Sequence, residues 1–134
     1  MVRLDWGGPG SNVWHPLNTD FSDVGGTGVY IVRQTTGKTV IVGQGELRDR
    51  LSALQRDGKV LCYDNPDSPL LATWAVIQGL KQTKMLYATQ LDGIERYLAE
   101  TLNPLIGDSH PDVAPVPVPL PIQPEEAALN PTSG

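Results

Sequence analysis

The chain has 134 residues, of which 40% are apolar and only 6% aromatic, which is typical of one globular domain with a modest core. Its net charge of −5 comes from the two ends, because residues 33–96 hold nine Lys and Arg against seven Asp and Glu. This balance argues against tight non-specific nucleic-acid binding by the whole chain, whereas the middle permits it. A single cysteine, Cys62, excludes an internal disulfide, and no apolar run has transmembrane length. An acid also stands where a signal peptide needs apolar residues, so we expect a soluble cytoplasmic protein without a membrane partner.

The N-terminal residues 1–26 are rich in Gly, Asn, Asp and Ser and predict an irregular arm. Its large aromatic residues, Trp6, Trp14 and Phe21, are expected to pack the arm onto the domain that follows.

The next part of the chain predicts a β-hairpin and then a helix. Two β-branched runs, 29–32 and 39–42, surround a Thr-Thr-Gly-Lys turn. From Glu46 the pattern becomes helical, and Gly58 is expected to end that helix. The apolar residues at helical spacing are Leu47, Leu51 and Leu54.

A second set of elements completes the domain. The apolar run 60–63 predicts a short strand, and 70–77 predicts a longer one. A helix is expected over 89–102, with Pro104 just beyond its end. The order β-β-α-β-α predicts an α/β domain over 27–107, with a small mixed three-stranded sheet and flanking helices.

The C-terminal part, 108–134, is expected to be a disordered or extended polyproline-like tail. From Pro111 onward it holds seven of the twelve prolines, so it cannot donate a continuous hydrogen-bond ladder. Truncation after Asp108 is therefore expected to leave the fold intact. A protein partner that binds the proline-rich tail is a further possibility.

Three general site patterns do not fit the sequence. Gly43-x-Gly45 lacks the third glycine and the parallel-strand context of a dinucleotide site. His15, His110 and Cys62 are too scattered for a zinc site. Neither histidine lies in a regular element, so no Ser-His-Asp set can be assembled.

A more specific arrangement joins the hairpin to the two helices. Gly28-Val29-Tyr30 opens the first strand and Ile41-Val42-Gly43 closes the second, with Tyr30 and position 41 eleven residues apart. A helix with a polar-face arginine follows, and a later helix carries Glu95 nine residues before Pro104. Over about residues 27–107 this arrangement resembles a divergent domain of the GIY-YIG nuclease family.

The resemblance implies three site residues and a metal ion. Tyr30 matches the first motif tyrosine, which lies near the attacking water and the scissile phosphate. Arg50, with Arg48 as its competitor, matches the helix arginine, whose planar fork suits phosphate oxygens. Glu95 matches the carboxylate that binds Mg²⁺ or Mn²⁺.

Three positions depart from the family pattern. Ile41 stands where the family has its second tyrosine, Leu54 where many members have a histidine, and Gly107 where they have an asparagine. The resemblance therefore leaves two hypotheses. One is a divergent metal-dependent endonuclease that hydrolyses nucleic-acid phosphodiesters, with DNA as the expected substrate. The other is a catalytically inactive module of the same fold that binds nucleic acid or a protein.

Overall fold

The computed structural model describes residues 5–7, 13–35, 38–77, 84–107 and 113–121, with the backbone alone for 84–89. Its elements in chain order are β1 (His15–Pro16), β2 (Thr27–Gln34), β3 (Thr39–Glu46), α1 (Leu47–Leu54), α2 (Gly58–Leu61), β4 (Leu70–Val76) and α3 (Lys84–Leu102). The predicted hairpin, the strand from Leu70 and the two main helices are confirmed, although α3 begins at Lys84 rather than at residue 89. No helix in these described ranges is long and apolar enough to span a bilayer.

The strands form one sheet in the order β1-β4-β2-β3, with every neighbouring pair antiparallel. The α/β class with flanking helices is confirmed, but the prediction of a mixed sheet of three strands was wrong. The additional strand, β1, comes from the N-terminal arm and pairs His15 with Ala72 and Pro16 with Leu71. Two residues, one of them a proline, carry no alternation from which a strand could be predicted.

The run 60–63, predicted as a strand, belongs instead to a helical turn. α2 begins at Gly58, where the Asp57 side chain accepts a hydrogen bond from the Lys59 N–H at 2.9 Å. Gly58 therefore starts a helix, and α1 has already ended at Leu54. Val60 is fully buried while Leu61 is 38% exposed. A short apolar run does not distinguish a strand from a helical turn, and the aspartate cap decides between them.

The sheet separates two hydrophobic cores, because alternate strand residues point to opposite faces. The first core lies against α1 and α2, and its strand residues include Tyr30, Val32, Val40, Ala72 and Trp74. The second core lies against α3, and its members include Val29, Ile31, Ala75, Leu91, Ile94 and Leu98. β3 is an edge strand, so the α1 face and the α3 face meet along it.

The aromatic residues of the N-terminal arm pack onto the domain, as expected. Phe21 is 2% exposed in the first core and meets Trp74 edge-on, with ring centroids 5.5 Å apart. Trp6 and Trp14 are half-buried against the second core. The two ends of this arm therefore contact opposite faces of the sheet.

The C-terminal segment 113–121, hereafter the strap, is extended and docked against α3. Its Val116 N–H donates to the Gly93 carbonyl at 2.9 Å, and the Trp6 indole N–H donates to the Pro119 carbonyl at 2.8 Å. Val118 is 4% exposed within the second core. Of the two conformations expected for the tail, these nine residues have the extended one, and they are docked on the domain, which the expectation did not include; residues 108–112 and 122–134 lie outside the described ranges.

A glycine on α3 makes this docking possible. A Cβ at Gly93 would lie 2.5 Å from a methyl group of Val116 and 2.8 Å from the Ala114 carbonyl oxygen. In the strap the valines face the domain, whereas Pro115, Pro117 and Pro119 are exposed. This two-residue alternation is that of an extended strand laid on a surface.

Candidate active site

A polar cleft of about 390 Å³ opens at the exposed half of β3. The first half of that edge is covered, because the N–H groups of Leu105 and Ile106 donate to the carbonyls of Thr39 and Val40. Beyond these bonds the edge bears two glycines, which leave room for a cleft. The lining comes from β2, β3, α1, α3 and the segment after α3: Tyr30, Val42, Gly43, Gln44, Gly45, Arg50, Glu95 and Gly107.

Tyr30 reaches this cleft from β2 and lies directly opposite Gly43 in the β2–β3 ladder. Its ring is in the first core with only 7% of the residue exposed, and its hydroxyl lies over the Gly43 Cα. Any side chain at position 43 would overlap that hydroxyl, so the glycine keeps the phenol in place. The Gly-Val-Tyr and Ile-Val-Gly fragments thus meet across one strand pair.

The Tyr30 phenol is held in its neutral form. Burial raises its pKa above the ordinary value of 10.0; Arg50 opposes this change, while Glu95 and Asp57 add to it. A neutral phenol donates a hydrogen bond and does not accept a proton from water. The side chain can therefore position a phosphate or a water but is unsuited to act as a base.

Arg50, on the exposed face of α1, extends over Gly45. Gly45 has a φ of +140°, and a Cβ there would lie 2.8 Å from the Arg50 Nε. Arg48, the competing candidate, is exposed on the same helix but is not part of the cleft lining. The geometry therefore favours Arg50 as the site arginine.

Glu95 reaches the cleft from α3, on the opposite side of the sheet from α1. It follows the fully buried Ile94 and is itself half-buried, at the border of core and solvent. Burial raises the pKa of its carboxyl above the ordinary value of 4.5; Asp92 raises it further, and Arg50 opposes both. The cleft therefore combines a partly desolvated carboxylate with a guanidinium and a neutral phenol.

The structure adds a pair that the sequence did not single out. Gln44 lies between the two glycines of β3, and its Nε2 donates a hydrogen bond to the Asp92 carboxylate on α3. Asp92 precedes Glu95 by one helical turn. The pair joins residues 48 positions apart, so no local pattern could indicate it.

Of the three positions that depart from the GIY-YIG pattern, two pack in the first core and the third has no side chain. Ile41 is half-buried against the first core and is not part of the lining. Leu54 is 5% exposed in the same core. Gly107 borders the cleft with a φ of +123° and offers no side chain.

The donor groups of the cleft are compatible with Mg²⁺. No group of three or more His, Cys, Asp or Glu that could hold a metal occurs in the described part of the chain. Mg²⁺ is commonly held by one or two carboxylates together with water and substrate phosphate, so it does not need such a group. Glu95 would be the first ligand from this chain, with Asp92 nearby.

A second cleft, of about 380 Å³, lies between the arm, α2 and the start of β4. Its lining includes Pro16, Leu17, Leu61 and Leu70, and its carboxylate Asp64 already accepts a hydrogen bond from the Leu70 N–H. It lacks the convergence of charged and phenolic groups that distinguishes the cleft at β3.

Comparison of the chain with protein-family models, curated proteins and solved structures found no match. The resemblance to GIY-YIG nucleases therefore depends on the residues and spacings of this chain.

Proposed function

We propose that this protein is a divergent, metal-dependent endonuclease that hydrolyses phosphodiester bonds in nucleic acid, with DNA as the first candidate substrate. The observation that carries the proposal is the convergence of Tyr30, Arg50 and Glu95 on one open cleft. They come from three different elements and from both faces of the sheet, so helix or strand periodicity does not account for their meeting. Convergence of these groups is the arrangement that phosphoryl chemistry requires.

Each side chain has a distinct role in this proposal. The Arg50 guanidinium binds non-bridging phosphate oxygens and stabilises the charge that develops on them. The neutral Tyr30 phenol donates a hydrogen bond that orients the phosphate or the attacking water. Glu95 holds Mg²⁺ or Mn²⁺, which when bound polarises the phosphate and stabilises the leaving oxygen.

A non-catalytic module that binds nucleic acid or protein is the alternative. The observation that favours it is the apolar environment of Ile41 and Leu54, together with the bare Gly107. A site without these three polar groups could retain phosphate binding through Arg50 after losing catalysis.

Cleavage of plasmid and single-stranded DNA by the purified chain, with Mg²⁺, Mn²⁺ or EDTA, distinguishes the two functions. The endonuclease proposal expects metal-dependent nicking that Glu95→Gln reduces by at least about 1,000-fold, since a metal contributes several kcal/mol. Glu100→Gln is the matched control, because Glu100 pairs with Arg96 at 2.9 Å on the same helix and is not part of the cleft lining. Equal nicking by wild type and Glu95→Gln would sink the metal-ligand assignment.

The arginine assignment has its own matched pair of variants. Arg50→Ala is expected to reduce cleavage by about 100-fold or more, as the loss of a charge-stabilising donor typically does. Arg48→Ala should leave cleavage within about twofold, since Arg48 is exposed and is not part of the lining. A larger loss with Arg48→Ala would reverse the assignment.

A further inference from the structure

Gln44 is the polar residue of the cleft to which the proposed chemistry has given no role. It lies on β3 between Gly43 and Gly45, and its side chain is directed to the α3 face, as the hydrogen bond to Asp92 shows. Tyr30 and Arg50 approach the same cleft from the α1 face. Gln44 therefore flanks the cleft on the Glu95 side, across from the phenol.

The orientation of the Gln44 amide follows from its partner. The NH₂ group of Gln44 faces Asp92 and donates to its carboxyl oxygen, because the amide NH₂ has only donors. The carbonyl oxygen is then the other end of the same amide group. The side chain thus has a defined acceptor end in a cleft-lining residue.

An amide acceptor is the function that the proposed roles of the other cleft side chains leave unfilled. The Tyr30 phenol is assigned as a donor and the Glu95 carboxylate as a metal ligand, while Arg50 carries only donors. An attacking water needs an acceptor to turn one of its lone pairs toward phosphorus. In phosphoryl-transfer enzymes a glutamine can orient the attacking water in this way.

We propose that Gln44 is a catalytic residue whose carbonyl oxygen accepts a hydrogen bond from the attacking water, and that Asp92 is the positioning residue that fixes the Gln44 amide. This inference rests on the proposed endonuclease function. The water oxygen forms the new bond to phosphorus, and the bond from phosphorus to the leaving sugar oxygen breaks. The proton lost by the water passes to bulk solvent at the cleft mouth, and the leaving oxygen takes up a proton from solvent.

Three variants test the pair through kcat and KM for DNA cleavage in Mg²⁺. Gln44→Met keeps the side-chain length and removes the acceptor, so kcat should fall by about 100-fold with KM within about twofold. Asp92→Asn keeps a hydrogen bond but allows the Gln44 amide to flip, so kcat should fall by about tenfold with little change in Tm. In the double variant Gln44→Glu with Asp92→Asn, the side chain at position 92 donates a hydrogen bond to the side chain at position 44. The side chain at position 44 keeps a second oxygen that can accept from the water. It should recover kcat to within about fivefold of wild type.

A purely structural link between β3 and α3 gives a different result. In that case Gln44→Met would lower Tm and leave kcat of the folded protein unchanged, which overturns the inference. Gln55→Leu is the matched glutamine control, because its amide donates to the Leu17 and Thr19 carbonyls of the arm. It is expected to lower Tm and leave kcat intact.

A spectroscopic measurement on the metal-free protein keeps the inference testable if Gln44→Met does not fold. The side-chain NH₂ resonances of Gln44 should be shifted and slow to exchange in wild type, and both effects should diminish in Asp92→Asn. Resonances that do not change overturn the positioning role. Wild-type protein that cleaves nothing with either metal overturns the proposed function and this inference together, whereas rapid cleavage by Gln44→Met overturns the inference alone.

Discussion

The two faces of the sheet are closed by different parts of the chain. The α1 face is covered by α1 and α2, which follow β3 directly in the sequence, together with Leu17 and Phe21 of the arm. The α3 face needs α3, the Trp6 and Trp14 side chains of the arm and the strap, which come from both ends of the chain. Because the cleft lies where the two faces meet, Tyr30 and Arg50 depend on a layer whose helices directly follow β3. Glu95 depends on one assembled from distant segments.

Removal of the strap has the largest expected effect and tests whether the α3 face depends on a distant segment of the chain. A chain ending at residue 107 should be about 4 kcal/mol less stable than one ending at 121. Burial of Val118 contributes about 1.5–3 kcal/mol, and the two backbone-carbonyl hydrogen bonds contribute about 1 kcal/mol each. For a domain of this size the midpoint should fall by about 10 °C, which thermal unfolding by circular dichroism would detect. Equal midpoints for the two chains would restore the expectation of a dispensable tail.

A substitution at Gly93 tests the same dependence, because it displaces the strap without removing it. Gly93→Leu should lower stability by about 2 kcal/mol, because its Cβ would lie 2.5 Å from Val116. In the chain ending at 107 the same substitution should be neutral or slightly stabilising, since glycine inside a helix costs about 1 kcal/mol relative to better helix formers. A double-mutant cycle over the two changes measures this coupling. Additive effects would contradict the docking of the strap at Gly93.

Ile41→Tyr acts on the other face. Ile41 packs against the first core and not in the cleft, so the larger ring should overpack that core and cost about 1–2 kcal/mol in urea unfolding. Cleavage should not increase, because a side chain at position 41 packs against the first core and does not line the cleft. Increased cleavage by a stable Ile41→Tyr protein would contradict this placement of position 41.

The smallest expected effect is a pH dependence of the free energy of unfolding, caused by Glu95 at the boundary between the two faces. Burial raises the pKa of Glu95 in the folded protein above its ordinary value of 4.5, so the folded state binds this proton more tightly than the unfolded chain. The resulting stabilisation is complete below the unfolded pKa and is lost as pH rises through the folded pKa. Relative to wild type, Glu95→Gln should therefore gain stability in EDTA as pH rises above 4.5, whereas Glu100→Gln should not. Urea midpoints of the three proteins across this range measure the difference.

The sequence predicted those parts of the fold that depend on neighbours along the chain. The hairpin followed from two β-branched runs around a short turn, and β4 and α3 from their apolar patterns. The resemblance implied that Tyr30, Arg50 and Glu95 are site residues, and the lining of the cleft at β3 contains all three. Their catalytic roles stay a prediction for the cleavage assays.

Features that depend on contacts between distant residues could not be predicted in this way. β1 has only two residues and exists because β4 offers a free edge to the arm. The prolines of the strap suggest an unattached tail, yet its valines pack on the second core, and Val116 lies over Gly93. The hydrogen bond from Gln44 to Asp92 has no signal in either β3 or α3 alone.

By itself, then, the sequence determined the local elements, because backbone preference and apolar period act over a few residues. It also determined the charge and hydrogen-bonding capacity of Tyr30, Arg50 and Glu95, since residue type sets both. Only the tertiary structure decided that Arg50 rather than Arg48 reaches the cleft and that Gln44 is turned toward Asp92. These choices depend on how β3, α1 and α3 meet at the edge of the sheet, and that geometry is the joint result of packing on both faces.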